Sequence, residues 1–218
     1  MLEIKNLTKE FDEKEKCIAV NNVSLHVEKG DFISIVGYSG SGKSTLLNLI
    51  SGLLTPTSGS ILFQGADINK LKDKQISDIR NRGIGYVLQG NSLLSNLTVA
   101  ENILLPATFY YDDKEYDVEK VMNEVGIYEI KDRYPSEISG GEAKRCAIAR
   151  SLLLNPKLLL ADEPVSDLDP ENTKIIMDVF SNYVNKGMSI IMVTHNIETT
   201  KYGNLVYRMN KGELIKER

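Results

Sequence analysis

The chain has 218 residues, of which 42% are hydrophobic and 26% are charged, and its formal net charge is −4. This size and composition are typical of a globular protein with one domain, or with one domain and a sub-domain, and a substantial core. The negative net charge shows no excess of the basic residues that nucleic-acid binding requires, so we expect no nucleic-acid partner. The two cysteines, Cys17 and Cys146, are far apart in the sequence, which excludes a disulfide framework and favours a reducing compartment.

Neither a secretory signal nor a membrane-spanning segment is predicted. The residues after Met1 lack the basic and apolar regions of a signal peptide. The most apolar window, residues 151–161, is interrupted by Asn155, Pro156 and Lys157, and is too short to cross a bilayer. We therefore expect a cytoplasmic chain without direct membrane insertion.

The first 90 residues mix strand patterns with one glycine-rich turn. Residues 2–7 and 23–27 alternate between apolar and polar side chains, which predicts two half-buried strands on either side of a charged loop at 9–16. The apolar run at 32–36 predicts a buried strand, and residues 46–50 predict a helix. Further on, the patterns predict an antiparallel strand at 59–65, a small amphipathic helix at 73–80 and a buried strand at 84–88.

The middle of the chain is mainly helical in pattern. Thr98 and Glu101 form a capping box that begins one helix, and a second helix is predicted at 116–125, closed by Gly126. A third helix is predicted to begin at Ser139 and to continue to Arg150. We therefore predict a helical sub-domain at 90–150, inserted between two parts of an α/β core at 1–89 and 151–218.

The last part of the chain returns to strands. Residues 158–161 and 189–193 predict buried strands, and residues 204–209 and 213–216 predict a closing hairpin. Strands that alternate with helices predict a mainly parallel sheet with helices on both faces.

Residues 37–45 carry the phosphate-binding pattern G-x-x-x-x-G-K-[ST] between a predicted strand and a predicted helix. The two glycines at 40 and 42 allow successive backbone N–H groups to point into one concavity, and the helix N-terminus adds its positive dipole. Lys43 is expected to contact the β- and γ-phosphates, and the Ser44 hydroxyl a Mg²⁺ ion. The residues predicted to bind the nucleoside triphosphate are Gly37, Tyr38, Ser39, Gly40, Ser41, Gly42, Lys43, Ser44 and Thr45.

Polar side chains follow three other predicted strands. Ligands of open α/β sheets bind at the carboxyl ends of the strands, which makes Gln89, Asp162, Glu163 and His195 site candidates. Asp162 is expected to hold Mg²⁺ through water, and Glu163 to polarise an attacking water molecule. Gln89 is expected to contact the metal or the water, and His195 the γ-phosphate. Phe11 is either an ordinary hairpin residue or a platform on which a purine stacks.

The segment Ile138-Ser139-Gly140-Gly141-Glu142 resembles the L-S-G-G-Q signature of the ATPase subunit of ABC transporters, and residues 145–152 resemble its usual continuation. This resemblance covers essentially the whole chain. It implies a P-loop NTPase fold with a mainly parallel sheet wound by helices, an N-terminal antiparallel β sub-domain and an inserted helical sub-domain. It also assigns the family's motifs, which are Walker A at 37–45, the Q-loop at Gln89, Walker B at 158–163, the D-loop at 165–169 with Asp169, the H-loop at His195 and the base-stacking aromatic at Phe11.

The resemblance also implies a mechanism with ATP and Mg²⁺ as cofactors. Two ATPase subunits form an ATP-dependent homodimer, in which the signature of one subunit faces the ATP bound by the other. The residues that would face the partner's ATP are Ser139, Gly140, Gly141 and Glu142. The groove beside Gln89 and the helical sub-domain would receive a transmembrane permease on a separate chain, which would hold the ATPase at the inner face of the membrane.

Residues 96–106 resemble the lipoprotein-release, macrolide-export and antimicrobial-peptide branch of the family. A cell-division ATPase that regulates cell-wall hydrolases through a membrane partner is the alternative within the family. A soluble ABC ATPase of DNA or ribosomes would need two ATPase units or a coiled-coil insertion, and a P-loop kinase would not explain the signature. The chain departs from the family pattern where Glu142 replaces Gln, where Phe11 replaces the commoner Tyr, and at Asn91 and Ser92, where Phe is frequent.

Overall fold

The computed structural model of the chain describes residues 1–12, 16–90, 92–109, 115–166 and 168–218. Within these ranges it contains two β-sheets and six α-helices, which we number in chain order. The predicted fold class is confirmed, since an N-terminal antiparallel sheet packs beside a mainly parallel sheet that carries helices on both faces.

The N-terminal sheet is antiparallel and has the strand order β2-β1-β4-β5. Its strands are β1 (Leu2–Asp12), β2 (Lys16–Val27), β4 (Ser58–Phe63) and β5 (Ala66–Asp67). The predicted charged loop at 9–16 is therefore wrong in extent. Pairing continues through Lys9 with Val20 and Phe11 with Cys17, because an outer hairpin tolerates charged side chains on its solvent face. Residues 13–15 of the predicted loop lie outside the described residues.

The second sheet has the strand order β10-β9-β3-β8-β7-β6, and all of its pairs except β9 with β10 are parallel. Its strands are β3 (Phe32–Val36), β6 (Ile84–Val87), β7 (Leu158–Asp162), β8 (Ser189–Thr194), β9 (Leu205–Asn210) and β10 (Glu213–Lys216). Every residue of β3, β7 and β8 is buried, which explains why these strands are continuous apolar runs rather than alternating ones.

Alternate residues of the central strands enter two separate cores. Ile33 and Ile35 face α1 (Lys43–Ile50) and the N-terminal sheet, whereas Phe32 packs in the core of the opposite face. That second core is formed with four helices, which are α3 (Val99–Thr108), α4 (Val118–Glu124), α5 (Gly140–Leu152) and α6 (Pro170–Asn185). Because side chains of a strand point to opposite faces in turn, one apolar run contributes to both cores.

Two predicted helices differ from the structure in detail, and one helix was missed. The helix predicted at 73–80 is α2 (Asp73–Asp78), followed by a π-helical segment at Ile79–Gly83. α4 begins at Val118, since Asp117 accepts the capping bond from the Lys120 N–H. α6 was not predicted, although Asp169 caps it and Pro170 occupies its first turn. Its apolar face buries Ile176, Met177, Phe180 and Tyr183 at helical spacing.

Among the described residues, no helix has both the length and the apolar character that crossing a membrane requires.

Asn102 in α3 is a fully buried polar residue that holds the segment before this helix. Its Oδ1 accepts the Leu94 N–H at 2.8 Å, and its Nδ2 lies 3.0 Å from each of the carbonyl oxygens of Leu94, Leu97 and Thr98. These bonds replace the water that the turn at 94–98 would otherwise need. The side chain thus fixes the chain that connects Gln89 to the helical region.

We predict that Asn102→Ala lowers the free energy of unfolding by about 2–3 kcal/mol, because the hydrogen bonds between this fully buried amide and the backbone of Leu94, Leu97 and Thr98 are lost. Urea unfolding measures the change, and an unchanged m-value would show that two-state unfolding is retained. Asn123→Ala is the matched control, since Asn123 is exposed and its amide donates to the Glu119 carbonyl of its own helix. Equal losses in the two variants would contradict a special role of the buried amide.

Candidate functional site

The site is built at the carboxyl edge of the parallel sheet. The register pairs Val36 of β3 with Thr194 of β8, and Asp162 of β7 with Val193 of β8. Consequently the residues that follow these strands and β6 line one edge in the order Gly37, His195, Glu163 and Gln89. The polar residues predicted to follow the strands therefore lie at one edge of the sheet, since parallel strands end on the same side.

A pocket of about 360 Å³ opens at this edge. It brings together the phosphate-binding loop with the polar residues that follow β6, β7 and β8. Its walls are Cys17, Ile18, Ala19, Gly37, Ser39, Gly40, Gly42, Lys43, Ser44, Thr45, Gln89, Asp162, Glu163, His195, Lys211 and Gly212.

The phosphate-binding loop lies directly against two neighbouring strands. A Cβ on Gly42 would lie 2.0 Å from the Ala19 carbonyl oxygen, and one on Gly37 would lie 2.3 Å from the Met209 carbonyl oxygen. Gly42 also has a φ of 104°, in the left-handed region that favours glycine. Only glycine fits these two positions, and the loop is thereby held close to β2 and β9.

Lys43 and Ser44, the first residues of α1, supply the polar side chains beneath the loop. The buried Lys43 ammonium donates to the carbonyl oxygens of Gly37 and Tyr38, each at 2.8 Å. Ser44 hydrogen-bonds to the carboxylate of Asp162. Burial raises the pKa of Asp162, while the Ser44 bond and the nearby Lys43 charge act in the opposite direction. A bound cation would favour the ionised carboxylate at this position.

Glu163 directly follows β7 in a strained conformation. Its φ is 49°, and its N–H donates to the Val193 carbonyl of β8 at 3.0 Å. This turn directs the carboxylate to His195, where the distance from Oε1 to Nδ1 is 2.9 Å. The second oxygen, Oε2, is buried and has no hydrogen-bond partner within the described residues. Such strain and an unpaired polar atom are typical of catalytic positions.

The residues of the pocket fit a magnesium ion that is bound together with phosphates. In the described part of the chain, no group of three or more His, Cys, Asp or Glu side chains could hold a metal by itself. One carboxylate from Asp162, one hydroxyl from Ser44 and one amide from Gln89 are available instead. Mg²⁺ commonly uses one or two carboxylates and takes its remaining ligands from substrate phosphates and water.

Some of the predicted nucleotide-binding side chains lie outside the pocket walls. Tyr38 is 84% exposed, and Ser41 is buried beneath the loop. Phe11 pairs with Cys17 across the hairpin, and the Lys9 ammonium lies 5.1 Å from its ring centroid. Conversely, five wall residues belong to none of the predicted motifs, and the only sequence signal near them is the closing hairpin predicted at 204–216. They are Cys17, Ile18, Ala19, Lys211 and Gly212.

The predicted signature residues are not part of this pocket but form the exposed start of α5. The predicted capping box is present: Ser139 Oγ accepts the Glu142 N–H at 3.3 Å, and Glu142 Oε2 lies 2.7 Å from both Ser139 N and Ser139 Oγ. These hydrogen bonds lower the pKa of Glu142. A carboxylate therefore lies beside the N-terminus of α5, and its negative charge stabilises this helix.

Two arginines connect α5 to other predicted motifs. Arg145 donates to Asn172 Oδ1 at 2.6 Å, and Asn172 Nδ2 donates to Asp169 at 2.5 Å. Arg150 donates to the carbonyl and hydroxyl oxygens of Ser92, at 3.0 and 2.6 Å. The helix that begins at the predicted signature is thus connected through Asn172 to the predicted D-loop, and it directly contacts the segment after Gln89. Two residues of these motifs, Asn91 and Asp167, lie outside the described residues.

A family model described as ABC transporter matches residues 20–166. The chain belongs to this family. Its activity is therefore ATP hydrolysis, with ATP and Mg²⁺ as ligands.

Relatives extend the ABC match over the whole chain. The lipoprotein-releasing system ATP-binding protein LolD of Buchnera aphidicola subsp. Schizaphis graminum is 40% identical, over 99% of this chain and 96% of that protein. The macrolide export ATP-binding/permease protein MacB of Mannheimia succiniciproducens is 38% identical, over 99% of this chain and 34% of that protein. The ATP-binding cassette MJ0796, solved as a dimer bound to ADP and Pi in a post-hydrolysis state, superposes with a TM-score of 0.94 at 34% identity. That match covers 100% of this chain and 98% of the solved one.

We predict that Glu142→Gln lowers the free energy of unfolding by no more than about 1 kcal/mol at pH 7, the range for a charge at a helix N-terminus. The pKa of Glu142 is lowered in the folded chain, so its contribution is present above the usual glutamate pKa of about 4.3. It disappears as the pH falls through the folded pKa. The difference between wild type and variant should therefore shrink below pH 4.

Urea unfolding at several pH values measures this difference. Glu171→Gln is the matched control, because it removes a first-turn carboxylate from α6, a helix that Asp169 caps instead. A Glu142→Gln deficit that stays constant down to pH 3 would mean that the amide fails to replace the capping geometry. The ionised carboxylate would then not be the source of the stability.

Proposed function

We propose that this chain is the motor subunit of an exporting ABC transporter, in which Glu163 polarises the water that attacks the γ-phosphate. The observation that supports this role is the Glu163 carboxylate itself. It is directed by a strained backbone into the wall of the pocket, and it is paired with His195. One of its oxygens is buried and has no hydrogen-bond partner in the part of the chain that the structure describes. A base that must accept a proton from water needs such a lone pair.

The other wall residues divide the remaining tasks. The N–H groups of the loop and Lys43 bind the β- and γ-phosphates, and Ser44, Asp162 through water, and Gln89 hold Mg²⁺. When bound there, Mg²⁺ would neutralise charge that develops on the phosphates. His195 orients the Glu163 carboxylate and contacts the γ-phosphate. Residues 1–89 and 151–218 form the nucleotide-binding core in this proposal, and residues 90–150 form the sub-domain that carries the signature.

An ATP-dependent homodimer completes each site. The signature residues Ser139, Gly140, Gly141 and Glu142 form the start of α5, where the capping box uses the N–H groups of Ser139 and Glu142. The N–H groups of Gly140 and Gly141 and the positive helix dipole suit a phosphate of the partner subunit's nucleotide. The dimeric form of MJ0796 with ADP and Pi supports this arrangement. Since ATP would bind the closed pair better than the open one, nucleotide binding would shift the population to the closed dimer.

A transmembrane permease on a separate chain is the second partner. A groove of about 870 Å³ lies between α2 with its π-helical extension and the end of α3, where the exposed Phe109 stands. Asn81 donates to the Pro106 carbonyl at 3.0 Å and so connects its two walls. The π-helical segment leads directly into β6 and Gln89. A permease segment in this groove would thus lie close to the nucleotide site, and would hold the chain at the inner face of the membrane.

Export of a lipoprotein, macrolide or antimicrobial peptide is the transport that the relatives favour. LolD is named for lipoprotein release, and MacB for macrolide export with a permease in the same protein. The similarity covers the segment at 96–106, which the sequence analysis associates with this branch. A cell-division ATPase is the second candidate within the family.

We predict that Glu163→Gln abolishes nearly all ATP hydrolysis while ATP binding is retained, because the phosphate and metal contacts remain. Closure survives and the release step is blocked, so the variant should form a stable dimer in ATP. Phosphate release and sedimentation in MgATP measure the two effects.

Glu198→Gln is the control, since this exposed carboxylate lies three residues beyond His195 and outside the pocket walls. Hydrolysis by Glu163→Gln at close to the wild-type rate would exclude Glu163 as the residue that polarises the water. Failure of both Glu163→Gln and its control Glu198→Gln to bind ATP would contradict the proposed function as a whole.

We also predict a role for Phe11, which lies across the hairpin from the wall residue Cys17. If the ring stacks on adenine, Phe11→Ala weakens ATP binding by roughly 1–3 kcal/mol, the range for base–aromatic stacking, and Phe11→Tyr is nearly neutral. Calorimetric titration with MgATP distinguishes the variants. Equal ATP affinity in wild type and Phe11→Ala would mean that Phe11 is an ordinary hairpin residue, packed beside Lys9, and does not stack on adenine.

A further inference from the structure

We propose that Lys211, at the turn between β9 and β10, is a nucleotide-contacting residue that pairs with the α-phosphate and ribose side of the bound nucleotide. Lys211 lies outside the family motifs found in the sequence, yet it is part of the pocket wall together with Gly212. The inference rests on the proposed nucleotide site and adds a second cation to it.

The turn that carries Lys211 is fixed against the phosphate-binding loop. The Gly212 N–H donates to the Ser41 carbonyl at 3.0 Å, and the Gly212 carbonyl accepts the Asn21 N–H at 2.9 Å. Met209, two residues before Lys211, has its carbonyl oxygen 2.3 Å from where a Cβ of Gly37 would be. Because three backbone positions tie this hairpin to the loop and to β2, the Lys211 backbone has a defined place at the pocket rim.

The order of the strands places Lys211 on a particular side of the nucleotide. β9 pairs with β3 on one edge, whereas β8, β7 and β6 follow on the other. Glu163, His195 and Gln89 therefore lie on the γ-phosphate side of the loop. The α-phosphate, ribose and base must extend to the opposite side, where Lys211 shares the wall with Cys17.

The Lys211 ammonium group is available to pair with a phosphate of the nucleotide. Lys43 already donates to two loop carbonyls, and Asp162 and Glu163 contribute carboxylates on the γ-phosphate side. Lys211 is exposed, and no described residue forms an ion pair or hydrogen bond with its ammonium group. A nucleotide is a polyanion, and an exposed charge pair of this kind contributes about 0.2–1 kcal/mol, or up to roughly a fivefold change in affinity.

The backbone conformation of Lys211 determines which variant is informative. Its φ is 46°, in the left-handed region, where asparagine is tolerated better than most residues. Lys211→Asn thus removes the charge and keeps the turn, whereas Lys211→Arg keeps the charge. Lys216→Gln is the matched control, because Lys216 is an exposed residue of the same hairpin that lies outside the pocket walls.

Calorimetric titration of the full chain with MgADP tests the inference, since ADP has the α-phosphate but lacks the γ-phosphate that closes the dimer. At about 50 mM salt we expect Lys211→Asn to bind about two- to fivefold more weakly, and Lys211→Arg and Lys216→Gln to match wild type. The loss should shrink at about 0.5 M salt, where the Debye length is only a few Å.

Unchanged affinity in Lys211→Asn, or equal losses in Lys211→Asn and Lys216→Gln, would overturn the inference while the nucleotide site stands. A wild-type chain that does not bind MgADP would instead overturn the proposed function. The thermal unfolding midpoint of Lys211→Asn is measured without nucleotide. A midpoint equal to that of wild type would confirm that the turn is intact.

Discussion

The arrangement of the site depends on the close contact between the phosphate-binding loop and the strands on either side of it. Gly42 meets the carbonyl oxygen of Ala19, and Gly37 meets that of Met209, at distances that leave no space for a Cβ. A side chain at Gly42 would push the loop away from β2, and one at Gly37 would push it away from β9. This contact joins the N-terminal hairpin and the β9–β10 turn to the parallel sheet, and it makes the pocket a product of both sheets together.

The edge of the pocket at the ends of the parallel strands is predictable from the sequence because it depends on a simple geometric rule. Buried parallel strands appear as apolar runs, and the residues that follow them must lie at one edge of the sheet. Gln89, Asp162, Glu163 and His195 are therefore found without any contact information. The capping box at Ser139 and Glu142 is equally local, since its two partners are three residues apart.

The opposite wall depends on contacts between residues that are distant in the sequence, and it was not predicted. Cys17 and Lys211 belong to hairpins at the two ends of the chain. These hairpins meet through hydrogen bonds such as those from Asn21 to the Gly212 carbonyl and to the Glu213 carboxylate. The phosphate-binding motif likewise does not predict which of its side chains face the pocket. Tyr38 belongs to the motif, but its side chain is exposed to solvent. The strain at Glu163 has no local signature either, because tertiary contacts to β8 impose it.

The two arginines of α5 have a thermodynamic consequence. Because Arg150 holds Ser92 and Arg145 holds Asn172, a displacement of the segment after Gln89 shifts the same helix that carries Ser139. Under the proposed function, occupation of the groove beside α2 and occupation of the nucleotide site would both act on this helix. Linkage requires that such an influence be mutual. Whatever factor a docked membrane protein applies to ATP affinity, ATP must apply the same factor to the affinity of the ATPase for that membrane protein.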